Sequence, residues 1–195
     1  MKALKILGIG VLSLILLVVV VSFFLPKTYH LERTVSVAAP AAQVHRLTSD
    51  LVNGWPQWEP WSEIDDSIVT TYGDVTSGVG ASQSWTGKDG TGELTLTACD
   101  LTGGVAYDMS FNEGQYFSTG ELTYTATATG TNVTWAMDGD MSGIMGKYMG
   151  LMMDRMVGPM FEQGLDSLKT AAEALPPIEE DVPEEAEETA EDAAA

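Results

Sequence analysis

An apolar stripe over residues 141–175 constrains this chain more than any other feature. Met141, Met145, Met149, Met152 and Met156, and then Phe161, Leu165, Leu168, Ala172 and Leu175, follow one another at steps of three and four within each run. That spacing keeps one side of a helix apolar, and we expect the stripe to be buried. Lys147, Asp154, Arg155, Glu162, Asp166, Lys169 and Glu173 fall between these positions and suit a solvated side. Gly158-Pro159 interrupts the run. Proline lacks an amide donor and clashes with the turn before it, so a kink or a break into two helices is expected there, with Pro159 in the first turn of the second. A helix of this length cannot cover such a stripe alone, and nearly everything before it reads as strand. The expected class is α+β, a sheet curled around a long C-terminal helix.

The strand signals fall at residues 29–37, 68–72, 81–86, 93–100, 105–111, 115–127 and 132–138. Between them, Lys88-Asp89-Gly90, Thr102-Gly103-Gly104, Asn112-Glu113-Gly114 and Thr129-Gly130-Thr131-Asn132 supply the Gly, Asn and Asp that tight hairpins require. Short links imply an antiparallel meander, because parallel neighbours need longer crossovers. Leu122-Thr123-Tyr124-Thr125-Ala126-Thr127 alternates with threonine, as expected of a sheet with one wet face and one face on the helix. After the first strand, Ala39-Pro40 predicts a short helix through Leu47, with Ala41, Val44 and Leu47 on one side.

The two ends of the chain differ from this middle. Residues 6–25 contain no charged side chain, and Lys2 and Lys5 precede them. That length matches one bilayer crossing. The run ends in Ser22-Phe23-Phe24-Leu25-Pro26, too bulky for a small-x-small cleavage site, so an uncleaved anchor is expected over residues 1–26. The positive-inside rule places the N-terminus in the cytoplasm and residues 27–175 on the outer side of an inner membrane. Residues 176–195 hold nine acidic side chains and no basic ones, and a disordered tail is expected.

Charge and composition narrow the chemistry. The formal charge is −19, of which the tail contributes −9 and the rest −10, a balance that argues against nucleic acid as a partner. Cys99 is the only cysteine, so neither an internal disulfide nor a multi-cysteine zinc site can form. Its strand position suits a small packing residue better than a nucleophile. His30 and His45 are the only histidines and have no metal-binding spacing. Glu59, Glu63, Asp65 and Asp66, and Asp138-Gly139-Asp140 at the close of the last strand, lack the regular oxygen spacing of a calcium loop. No nucleophile elbow, phosphate loop or dinucleotide fingerprint occurs. No catalytic residue, metal or cofactor is therefore assigned.

Three of the five tryptophans lie within Trp55-Pro56-Gln57-Trp58-Glu59-Pro60-Trp61. So much apolar area in a loop is expected to plug one end of a core or the mouth of a pocket. This loop, Val35-Ser36-Val37-Ala38-Ala39-Pro40 with Val44, Gly78-Val79-Gly80-Ala81 leading to Trp85, Gly130-Thr131-Asn132-Val133-Thr134-Trp135 and Gly164-Leu165-Asp166-Ser167-Leu168-Lys169 occur in an order that resembles the START-like superfamily. That group takes in the polyketide cyclase/dehydrase and lipid-transport proteins and the Bet v 1-type proteins, and the likeness is to its membrane-anchored bacterial members. The resemblance covers roughly residues 30–170. It implies a helix-grip fold with an apolar cavity between the curved sheet and the C-terminal helix, used in the superfamily for lipids, sterols, polyketides and other hydrophobic compounds.

The resulting expectation is a membrane-tethered domain that binds a hydrophobic small molecule or lipid. Trp58, Trp61, Trp85, Tyr107, Met145, Met149, Met152 and Met156 are the candidate wall residues. The methionines fit a flexible, polarizable lining and fit core filling equally well. Two other readings stay open: a cyclase- or hydrolase-type enzyme acting on an apolar substrate, which would need convergent polar groups in the cavity, and an envelope interaction module working through the acidic tail or the tryptophan loop. The sequence does not identify a protein partner.

Overall fold

A computed structural model describes residues 2–176. The acidic tail expected after Leu175 lies outside the described residues, apart from Pro176. The chain opens with α1 (Lys2–Ser22), whose side chains from Lys5 onward are almost all exposed and which is long and apolar enough to cross a bilayer. Then follow β1 (Thr28–Val37), α2 (Ala41–Thr48), a 3₁₀ turn at Trp55–Gln57 and the one-turn helix α3 (Trp61–Ile64). Six strands come next: β2 (Val69–Tyr72), β3 (Ser82–Gly87), β4 (Gly90–Asp100), β5 (Gly104–Phe111), β6 (Tyr116–Thr127) and β7 (Gly130–Asp140). The described chain ends with α4 (Gly143–Gly150) and α5 (Met153–Ala174).

The seven strands form one sheet in the order β1-β7-β6-β5-β4-β3-β2, with every pairing antiparallel. Only β1 departs from a meander: it crosses to pair with β7, which places the chain segment nearest α1 beside the strand that leads into α4. Period-two alternation sets the faces. Leu94 and Leu96 of β4, Val105 and Tyr107 of β5, Leu122 and Tyr124 of β6 and Val133, Trp135 and Met137 of β7 point inward and are buried. A bulge between Leu96 and Ala98 shifts the β4 register and brings Cys99 onto the same side as Val105.

Three inward aromatic rings lie over glycines on the neighbouring strand. Trp85 pairs with Gly92, Tyr107 with Gly120 and Tyr29 with Gly139, and a Cβ added to these glycines would fall 2.1, 2.1 and 2.5 Å from the respective rings. Each ring can fold down onto the sheet because its partner has no side chain.

The second half of the stripe behaves as the periodicity predicts. Phe161, Leu165, Leu168 and Ala172 of α5 are buried against β1 and α2. The first half does not: Met145, Met149, Met152 and Met156 are exposed, Met145 by 78%. The break also moves. The chain turns at Leu151 and Met152, between α4 and α5, and α5 runs through Gly158-Pro159 without interruption. Glycines at 143, 146 and 150 weaken the helix where it does end. Beyond Pro159, the buried residues of α5 fix its axis on the sheet at a gain larger than the roughly 3 kcal/mol that an internal proline costs. Arg33 of β1 fits against Gly158 and bridges to both sides of it, donating to Asp154 Oδ1 at 2.8 Å and to Glu162 Oε1 at 2.7 Å.

Candidate binding face

The inner face divides into two zones along the strands. In the middle, an aromatic column fills the space between sheet and helix. Trp135 stacks on Phe161 of α5 with ring centroids 3.8 Å apart and planes at 8°. Trp58 meets Trp135 edge-on at 5.2 Å, Trp55 lies 5.1 Å from Trp58, and Tyr107 lies 5.6 Å from Trp55. Each such pair contributes about 0.5–1.5 kcal/mol beyond its area burial.

The indole N–H groups of this column all have partners. Trp55 donates to Thr48 O at 2.7 Å and Trp58 to Leu47 O at 3.1 Å, so the tryptophan loop satisfies carbonyls that the end of α2 leaves open. Trp135 donates to the Tyr107 hydroxyl at 2.9 Å. The loop is thus a plug for the core, one of the two roles its composition predicts. Burial raises the Tyr107 phenol above its ordinary range, and does the same to Tyr124, whose hydroxyl pairs with that of Thr48.

Nearer α1 the inner face is more open. The strand positions there are Gln83, Trp85 and Phe111, which are partly exposed, and Met109, Ser118 and Tyr29, which are buried. Trp85 meets Phe111 edge-on at 5.6 Å. The apolar groups packed against the core at this end, Trp61, Trp85, Phe111, Met141, Met153 and Val157, are only partly buried. The Tyr29 hydroxyl pairs with Ser118 Oγ at 2.8 Å and reaches Met137 Sδ at 3.3 Å. Among the described residues the one buried side-chain polar atom without a hydrogen bond is His45 Nδ1. Its Nε2 lies 3.8 Å from Cys99 Sγ. Burial lowers the imidazole and raises the thiol, so both are held neutral and the cysteine is not activated.

The outer face carries a separate depression of about 640 Å³ across β4 to β7 and the start of β1. Glu93, Asp108, Asp138 and Asp140 line it together with threonines, serines and Phe117. Four carboxylates make it a poor seat for an apolar molecule. At its edge, Asp138 accepts from His30 Nδ1 at 2.9 Å and raises that imidazole above its ordinary value.

The eight residues singled out from sequence therefore separate into three groups. Trp58 and Tyr107 stand in the packed column, Trp61 and Trp85 are partly buried at its margin, and Met145, Met149, Met152 and Met156 sit outside, on α4 and the adjoining start of α5. Sequence reading passed over Phe111, Met153 and Val157. Phe111 would have emerged once the β4–β5 register was known, because it faces Gly92, which Trp85 covers.

A seven-stranded antiparallel sheet closed over a long C-terminal helix, with a short helix and a tryptophan loop capping one end, defines the helix-grip class. The sequence matches the polyketide cyclase / dehydrase and lipid transport family over residues 28–173, and the chain belongs to that family. No curated protein matches it. Among solved structures it is similar to the di-domain ARO/CYC protein StfQ of the steffimycin biosynthetic pathway, with 12% identity and a TM-score of 0.56 over 75% of this chain and 52% of that one. It is also similar to KanY, with 15% identity and a TM-score of 0.54 over 76% of this chain and 100% of that one. A protein from Rhizobium leguminosarum has 17% identity and a TM-score of 0.53 over 76% of this chain and 97% of that one. At these identities the likeness to the solved structures is one of fold.

Proposed function

We infer that this protein is a membrane-tethered binding domain, with α1 as its single span and residues 27–175 on the outer side of an inner membrane. It would hold a hydrophobic small molecule or lipid between the sheet and α5, at the end nearest α1. One observation carries the reading: the aromatic column closes the middle of the inner face, whereas Trp61, Trp85, Phe111, Met141, Met153 and Val157 at the α1 end remain partly uncovered. An apolar guest at that end gains the burial those side chains lack. Trp61 and Trp85 are its proposed walls, and Met145, Met149, Met152 and Met156 flank the approach to it. The description of the family, which includes lipid transport, supports this chemistry. StfQ belongs to a biosynthetic pathway, which keeps a cyclase in view. The tyrosine hydroxyls inside this grip are already engaged with Ser118, Trp135 and Thr48, which favours binding over proton transfer.

The test is mass spectrometry of apolar compounds retained by the full chain, alongside uptake of a fluorescent fatty-acid probe. The expected result is a retained compound or saturable probe binding, reduced in a Val157→Trp variant that fills the open end. An empty protein that takes up no probe would overturn the reading.

A further inference from the structure

The start of the C-terminal helical region carries an apolar surface with nothing over it among the described residues. Ile144, Met145, Met149, Leu151, Met152 and Met156 are all exposed. This surface has a fixed place relative to α1. Lys147 Nζ donates to Ser22 O at 2.6 Å, and the Tyr148 hydroxyl donates to Val18 O at 2.8 Å. Ser22 is the last residue of α1, so Lys147 sets a positive charge on a carbonyl left open at the negative end of that helix.

These contacts set a depth. The apolar stretch Lys5–Ser22 is 18 residues long, and at about 1.5 Å per residue it spans roughly 27 Å, nearly the whole ~30 Å hydrocarbon core. Val18 lies about 6 Å below the end of that stretch. A tyrosine bonded there cannot belong to a helix that stands clear of the membrane. Interfacial helices bury their apolar side by about 5–10 Å, the same depth. Phe23 and Phe24, 76% and 84% exposed just past the end of α1, add large apolar side chains beside this segment's point of entry. Charge agrees: residues 141–158 contain Lys147, Arg155 and the single acid Asp154, a net of +1 in a chain of −19. Anionic headgroups therefore do not repel this segment as they would the rest of the chain.

We propose that α4 and the first turn of α5 lie in the interfacial layer of the bilayer that α1 crosses, as a second, non-spanning contact whose partner is phospholipid. The proposal rests on the tethering reading. Unbranched, polarizable methionines suit a surface that must conform to moving acyl chains.

The test uses the full chain in phosphatidylcholine–phosphatidylglycerol vesicles, with Cys99→Ala as background and an environment-sensitive dye on Leu12→Cys, Met145→Cys or Thr125→Cys in turn. Ile144→Cys replaces Met145→Cys if that variant does not fold by tryptophan emission. Lipids with a spin label near the headgroup or at mid-chain act as quenchers. The expected result is quenching of the Leu12 dye by the deep label and of the Met145 dye by the shallow label, the latter about twofold or more above the Thr125 dye on the outer face of β6. A quenched Leu12 dye with a Met145 dye no more quenched than Thr125 overturns this proposal and leaves tethering standing. An unquenched Leu12 dye overturns both. A Met145 dye that is shielded without lipid quenching, and becomes exposed when protein is diluted in lipid, assigns the surface to a second copy and overturns the proposal.

Discussion

The two ends of the space between sheet and α5 are built on opposite plans. Away from α1, α2 and the tryptophan loop close over Val37, Tyr124, Val133, Leu168 and Ala172, and the aromatic column fills what remains. Toward α1 no comparable cap exists among the described residues, and the covering side chains are partly buried or exposed. The difference separates stability, concentrated in the column, from the surface proposed for ligand and membrane.

The sharpest way to break this comparison is Trp135→Ala, which removes the partner of both Trp58 and Phe161. It should cost about 3–5 kcal/mol in denaturant unfolding. Met145→Ala, at the open end, should cost less than about 0.5 kcal/mol, and equal costs would mean that the two ends are not distinct. Gly120→Ala comes next. Its Cβ would fall 2.1 Å from the buried Tyr107 ring, so a loss of about 1–3 kcal/mol is expected in the same assay.

Gly158→Ala offers the contrast. The obstructing atom, 2.2 Å from the new Cβ, is the mobile end of Arg33. Helix propensity gains up to about 1 kcal/mol and the exposed fork loses a similar amount at most, so the net change should stay within about 1 kcal/mol. A loss as large as that of Gly120→Ala would show that the Arg33 contact is rigid.

The smallest effects concern pH. His30 is raised by its hydrogen bond to Asp138, so its contribution is present below the ordinary histidine value of about 6.5 and fades as pH rises through the raised one. The destabilisation by His30→Gln should therefore shrink between pH 5.5 and 8.5 in thermal melts. Burial lowers His45, which costs stability as pH falls below the ordinary value. His45→Gln should flatten the acid side of the same curve, and a steeper acid side would refute its buried, neutral state.

Most of the fold was legible because turn residues and alternation act locally. The hairpin glycines placed the five strands β3 to β7 within a few residues of their observed ends, and Pro40 marked the start of α2. What escaped depended on which surface meets which. The methionine spacing is the same whether that side of a helix is covered or exposed, so the stripe could not reveal that its character changes after Met156. The tryptophan loop was readable as buried, but not as the cap on Leu47 and Thr48 carbonyls, because that pairing joins residues up to 11 apart through a turn whose path the sequence does not give. Separating Trp58 and Tyr107 from Trp61 and Trp85 likewise required the register of β3 to β5 and the path of the tryptophan loop.

Under the proposed tethering, the link between α1 and the sheet has a consequence for logistics. Only residues 23–27 separate α1 from β1, and the last of them is pinned, Lys27 O accepting from Met141 N at 2.6 Å. Stretched fully, five residues reach about 17 Å. On so short a leash a domain tethered as proposed could not ferry cargo across a gap between two membranes. Whatever such a domain held would have to come from the bilayer beneath it, or be handed over by a partner that travels the remaining distance.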